Sequence, residues 1–141
     1  MEFYCMAQVE PDPDGGFLVT FADVPEAITH GDTRQAALAN ATEALGLALR
    51  GYCAEGRELP KPIAKTGARV DIDALDAIKL AVIMTFRQAG ISKSELARRL
   101  GKAESEARRI LDPDHPTKLG AMQDALRAMG RTIVISVKEA A

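Results

Sequence analysis

The chain opens on a two-residue period. Phe3, Cys5, Ala7 and Val9 fall on one side and Tyr4, Met6 and Gln8 on the other, the repeat of a β-strand. Pro11-Asp12-Pro13-Asp14-Gly15-Gly16 follows, a run of turn formers in which proline fixes φ and glycine allows φ above zero. Alternation resumes at Phe17, Val19 and Phe21, so the two runs predict a hairpin. Pro25 interrupts it, and Ala27-Ile28-Thr29-His30 predicts a third short strand. The period then becomes helical. Ala37, Ala41, Leu45, Ala48, Leu49 and Tyr52 recur three or four residues apart and make one apolar face. Asp32, with Gln35 three residues later, predicts the cap that opens this helix. The helix should end by Gly56, because Leu59-Pro60-Lys61-Pro62 cannot continue it. Residues 57–68 read as a connection and 68–72 as one more short strand.

The second half keeps the helical period. Leu75, Ile78, Val82, Phe86 and Ala89 form a stripe that stops at Gly90. Ser92-Lys93-Ser94-Glu95 is a capping box opening a helix with Leu96, Ala97 and Leu100 inward and Gly101 at its close. Ala107, Ile110 and Leu111 mark the inner face of the next helix, which Asp112-Pro113 ends. Thr117 predicts the cap of a further helix carrying Leu119, Met122, Leu126 and Met129, stopped by Gly130. Alternation returns at the end: Ile133, Ile135 and Val137 against Thr132, Val134 and Ser136. A strand there has no local partner for its amides. The expected partner is the same segment of a second chain, which makes Thr132, Ile133, Val134, Ile135, Ser136 and Val137 the candidate dimerisation residues. The fold class is α+β: a small sheet covered by one helix, then an all-helical domain with a C-terminal β-strand.

Length and composition narrow this. With 141 residues the chain holds one domain or two small ones. Tryptophan is absent and aromatics are 4%, so the core is aliphatic. No apolar run approaches the ~20 residues that span a bilayer. Met1-Glu2-Phe3-Tyr4 has no basic segment before an apolar one, so a cytoplasmic protein is expected, with no membrane partner and with Cys5 and Cys53 as thiols outside any disulfide. Net charge is -2 overall, but it is unevenly placed: -4 over residues 1–70, +2 over 71–141 and +5 within 79–110. An acidic half followed by a locally basic one points to two modules with different partners.

The sharpest pattern lies at 93–111. A small Ala97 lets two helices cross closely, Gly101 supplies the left-handed turn, and Ala107 and Ile110 anchor the following helix. That is helix-turn-helix spacing, with the second helix free to enter a major groove. Lys93, Ser94, Arg98, Arg99, Lys102, Ser105, Arg108 and Arg109 are the candidate DNA-binding residues, with Ser105 and Arg108 assigned to bases and the others to phosphates. An ordinary helical hairpin with a solvated basic face would carry the same charges. Glu104 and Glu106 open the reading helix and repel phosphate, and Ala103 stands where a serine or threonine cap is favoured.

Other chemistries find little support. Two cysteines and two histidines, His30 and His115, share no metal-ligand spacing, so no metal and no cofactor are expected. Asp12, Asp14, Asp23 and Glu43 are scattered over a turn, a strand end and a helix, not converged on one face as a two-metal nuclease requires. No catalytic residues are assigned, and the chain is not expected to be an enzyme.

Three stretches together carry a resemblance. Val9-Glu10-Pro11-Asp12-Pro13-Asp14-Gly15-Gly16-Phe17, Phe21 through Thr33, and Leu59-Pro60-Lys61-Pro62 after an alanine-rich helix resemble the HicB family of antitoxins. Glu95-Leu96-Ala97-Arg98-Arg99-Leu100-Gly101-Lys102 and His115-Pro116-Thr117-Lys118-Leu119 are similar to its helix-turn-helix branch. The resemblance implies a partial ribonuclease-H-like domain, residues 1–66, that binds and masks a small basic ribonuclease toxin of the HicA type. It assigns no toxin-binding residue individually. It also implies a domain over 74–141 that dimerises, or assembles further, and represses its own operon by binding operator DNA. Ala103, Glu104 and Ala107 depart from the usual pattern of the reading helix. The alternative is a stand-alone transcriptional regulator whose first module senses a ligand.

Overall fold

In the computed structural model, which describes residues 1–139, the first alternating run forms β1 (Tyr4–Pro11). Cys5 and Ala7 are buried on one of its faces. It turns through Gly15 and Gly16 into β2 (Phe17–Phe21), and β3 (Ile28–Gly31) follows. All pairings are antiparallel, in the order β3-β2-β1-β4, with β4 (Ala68–Asp71) returning to the far side of β1. Ala7 is the hinge of the register: it lies opposite Phe21 on one side and Ala68 on the other.

One helix, α1 (Arg34–Ala54), packs on the sheet. Its buried face is Ala37, Ala41, Leu45, Leu49 and Tyr52, set against Cys5, Ala7, Val19, Phe21 and Val70 of the strands. Small residues at the start of the helix bring backbones together: a Cβ on Gly31 would collide with the backbone of Ala37. The cap is Thr33 rather than the expected Asp32. Thr33 is the extended residue directly before the helix, and its hydroxyl accepts from the Ala36 amide at 3.0 Å; Asp32 stands one position too early. At the other end Arg57 N donates to Tyr52 O and Gly56 N to Cys53 O, the paired closure that a left-handed glycine permits.

The chain divides into two compact units, Met1–Ala77 and the residues from Ile78 onward, and the boundary falls inside α2 (Ala74–Ala89). Of the helical domain expected over 74–141, residues 140 and 141 lie outside the described residues. α2 departs from the predicted stripe. Leu75 and Ala89 are exposed, whereas Lys79, Leu80, Val82, Ile83 and Thr85 are buried. The buried face is wider than one stripe and is centred nearer Val82 and Ile83.

The second unit continues with α3 (Lys93–Leu100), α4 (Glu104–Leu111) and α5 (Leu119–Ala128). Val82, Ile110, Met122, Ala125 and Leu126 form one buried cluster, and Leu96, Ala97 and Ala107 another, flanked by Phe86 and Leu100. Leu119, expected inward, is exposed. Thr117 does not cap α5: Lys118 holds that position without a side-chain bond, and the Thr117 hydroxyl is engaged elsewhere. Residues 131–139 carry no helix or strand. Among the described residues the only sheet is that of the first unit, so the expected strand at Thr132–Val137 has no partner within its own chain. Val134, Ile135 and Val137 are 87%, 74% and 92% exposed.

Candidate functional site

α3 begins where the sequence placed it. Ser92 Oγ accepts from the Glu95 amide at 3.0 Å. The reciprocal half of a capping box is replaced: the Glu95 carboxylate turns toward its own helix and takes Arg98 at 2.6 and 2.8 Å and Arg99 at 3.0 Å. Gly101, at φ 64°, closes α3 through Lys102 N to Ala97 O and Gly101 N to Arg98 O. Three residues after Gly101, α4 starts at Glu104, following an Ala103 that makes no side-chain cap. Leu96, Ala97 and Ala107 fill the angle between the two helices. Helix, left-handed glycine and helix therefore form a helix-turn-helix.

Lys93, Ser94, Arg98, Arg99, Lys102, Ser105, Arg108 and Arg109 are all exposed on this unit. Their electrostatics differ from a bare basic face. Arg108 donates to Glu104 at 2.8 Å, four residues back, and Arg109 pairs with Glu106, three residues back. Glu104 also accepts from Ser94 Oγ at 3.0 Å, which ties the start of α4 to α3. Hydrogen bonds from Arg98 and Arg99 hold the Glu95 carboxyl down at about 2. Those from Ser94 and Arg108 lower that of Glu104. Three carboxylates thus hold four guanidiniums. The spacing Glu95–Arg98–Arg99, Glu104–Arg108 and Glu106–Arg109 is the signal that announces these pairs in the sequence.

A second node was not anticipated from the sequence. Lys79, 4% exposed on α2, sends its ammonium to the end of α4, donating to Ile110 O at 2.9 Å, Arg109 O at 3.2 Å and Thr117 Oγ1 at 2.6 Å. Burial lowers it to about 8, with Asp112 acting in the opposite sense.

In the first unit the acids that a nuclease would need are occupied separately. Asp12 Oδ1 accepts from the Asp14 amide at 2.9 Å, Asp23 Oδ2 accepts from the Ala64 amide at 3.0 Å, and Glu43 is exposed on α1. Among the described residues no three of His, Cys, Asp and Glu gather where they could hold a metal ion. His30, on the edge strand β3, bonds Gly15 O at 2.9 Å and steadies the first turn. Cys5 and Cys53 are buried and form no disulfide. A polar cluster closes the far end of α1: Tyr52 donates to Glu26 at 2.7 Å, and Arg57 lies 3.9 Å over the Tyr52 ring. No helix among the described residues is long and apolar enough to cross a membrane.

A four-stranded antiparallel sheet under one helix, followed by a helix-turn-helix, is the frame in which the comparisons with known proteins fall. Residues 4–81 match the family model described as a HicB-like antitoxin of bacterial toxin–antitoxin systems, a span that takes in all four strands and α1. The chain is therefore of the antitoxin class. It belongs to the HicB family: it is 42% identical over 116 residues to "Antitoxin HicB 2" of Photorhabdus laumondii, covering 82% of this chain and 84% of that one. It is 35% identical over 125 residues to "Antitoxin HicB" of Escherichia coli, covering 87% and 91%. The same identity extends over 136 residues to "Antitoxin HicB" of Pseudomonas fluorescens, covering 94% and 92%.

Proposed function

We propose that this chain neutralises a HicA-type mRNA-cleaving ribonuclease through its sheet-and-helix unit and represses its own operon through α3 and α4. Inhibition of this kind asks for no chemistry from the chain. It asks for a surface that covers the toxin's catalytic and RNA-facing groups. The net charge of -4 over residues 1–70 favours encounter with a basic partner, and apolar contacts would then hold the complex. The observation that carries the DNA-binding half is the exposure of all eight candidate residues on a unit built around the Gly101 turn. Pairing of Thr132–Val137 between two chains would make the reader two-fold, and inverted half-sites about one helical turn apart, or a multiple of it, follow from that symmetry. The exposed Val134, Ile135 and Val137 support this reading.

Co-expression with the product of the adjacent small reading frame tests the first half: cells survive with this chain present and die without it. Survival unaffected by its absence, or death in its presence, would remove the inhibitory role. A shift of DNA from the chain's own promoter in a gel, with none for a scrambled duplex, tests the second half. A chain ending at Gly130 is expected to fall to a smaller species in solution if the terminal segment dimerises.

A further inference from the structure

We infer that Lys79 is the positioning residue of the reading helix: from α2 it grips the last carbonyls of α4 and so sets how that helix is presented to bases. The inference rests on the DNA-binding reading above and names the device that makes it sequence-specific.

α4 has eight residues, and an isolated helix of that length is marginal. Its last carbonyls have no partners among the helix's own residues, and of them Arg109 O accepts from the capping Asp112 amide at 3.2 Å. Two of them, Arg109 O and Ile110 O, accept from the Lys79 ammonium, which sits at the negative end of the α4 dipole. An ammonium has three donors, and the third goes to Thr117 Oγ1, so the group is fully used. The Thr117 hydroxyl in turn lies 3.4 Å from Arg109 O and from His115 O, which draws the segment after α4 into the same knot. At its opposite end α4 is tied to α3 by Glu104 and Ser94. Apolar contacts at Ala107 and Ile110 hold the helix in place but have no direction. The two polar ties are directional, and together they fix its rotation and its slide.

Stability alone does not account for a lysine here. Burial pushes the ammonium down to about 8, so the charged form is held in the folded chain against its preference. An apolar side chain of similar volume is commonly as stable as a buried charge, or more so. What methionine could not supply is the grip on the Arg109 and Ile110 carbonyls. Lys79 is 4% exposed and cannot reach a phosphate, so any effect on DNA passes through the groups it holds, the α4 carbonyls and Thr117.

The experiment compares the full chain with Lys79→Met and Thr117→Val, using a duplex from the chain's own promoter and a scrambled duplex at one fixed salt concentration. Specific affinity is expected to fall roughly tenfold or more in Lys79→Met, the loss typical of one or two base contacts. Affinity for the scrambled duplex should fall by no more than about threefold, because most of the proposed phosphate contacts (Lys93, Arg98, Arg99 and Lys102) lie on α3 and the turn, and only Arg109 lies on α4. The melting temperature should hold or rise. Thr117→Val removes one acceptor and serves if Lys79→Met does not fold; a loss of several-fold in specific affinity alone is expected. Unchanged specific affinity in either folded variant overturns the assignment and leaves the proposed function standing. Equal loss on both duplexes with a collapsed melting temperature also overturns it, since Lys79 would then be a structural residue only. An unsubstituted chain that does not distinguish the two duplexes overturns both this inference and the operator-binding reading.

Discussion

Cys5 and Lys79 are both buried, one in the sheet-and-helix unit and one in the helical unit, and burial moves them in opposite directions. The Cys5 thiol is pushed up to about 11, chiefly by burial and further by Asp23, so at neutral pH it is an uncharged packing group. The Lys79 ammonium is pushed down to about 8 and is still mostly charged at neutral pH. The first unit fills its interior with groups that ask nothing of their neighbours; the second keeps a charge inside and surrounds it with carbonyls. On the surface the two units are closer. In the first, Asp12 and Asp23 accept from backbone amides, while Glu26, Asp71 and Asp76 meet Arg57, Arg69 and Arg50. The acids of α3 and α4 are spent on arginines. If the first unit covers a partner, as proposed, it needs a firm shape. If the second reads DNA, as proposed, it needs directed, exchangeable polar groups.

The largest effect that tests this division is in the first core. Leu45 is fully buried between α1 and the sheet. Leu45→Ala is expected to remove about 2–5 kcal/mol, the range for truncating a buried leucine. Hydrogen exchange should place the loss in β1 to β4 and α1. Equal loss of protection in α3 and α4 would show that the two units unfold as one.

Next in size is the pH dependence. Between about 8 and 10.5 the unfolded chain keeps a proton on Lys79 that the folded chain has released, so stability rises with pH across that window. The gain across the whole window should be on the order of 3 kcal/mol. Cys5 acts in reverse: from 9 to about 11 the folded chain keeps a proton that the unfolded chain loses, and stability falls. The clean part of the rise therefore lies between about pH 8 and 9, and Lys79→Met should abolish it. A flat denaturation midpoint across that interval in the unsubstituted chain would mean that the Lys79 site is wetter than the structure has it.

A smaller effect belongs to the turn. Gly101 stands at φ 64°, where a Cβ finds open space but a strained backbone. Gly101→Ala is expected to cost about 1–2 kcal/mol, and urea midpoints would read it. No change would mean that the turn relaxes into another closure.

Much of this frame was legible because its signals are local. The two-residue period gave β1 and β2, Ser92 with Glu95 gave the start of α3, and Gly101 gave its end. The chain's uneven charge located the basic helices. What was not legible depends on distance. Nothing near Ala68 says that it will lie opposite Ala7, beyond α1, because strand order is settled by long-range pairing. The cap fell on Thr33 rather than Asp32 because adjacent residues can both accept and only the backbone decides between them. Leu75 and Leu119 read as core and are exposed, because an apolar residue at a helix's first turn has the period of the core without its depth. Lys79 reads as surface on account of its charge. Its spacing from Val82, Ile83 and Phe86, at three, four and seven residues, is that of a buried face, and a lysine at such a position is itself a signal.

The smallest effect bears most directly on how the reader works. If Glu95, Glu104 and Glu106 hold the arginines in reserve, phosphate must displace a carboxylate at each contact. Exposed pairs of this kind contribute little, because solvent screens them. Glu104→Gln with Glu106→Gln should therefore raise affinity for any duplex by only a few-fold, while the new amide oxygen at position 104 still accepts from Ser94. Arg98→Ala with Arg99→Ala should act the other way and flatten the dependence of log affinity on log salt by up to about 0.9 for each lost phosphate contact. The two results together separate a latch from a reader. Gain on both specific and scrambled DNA makes the glutamates counterions to the arginines. Loss on the specific duplex alone would make them readers in their own right, accepting from a base such as cytosine through its amino group.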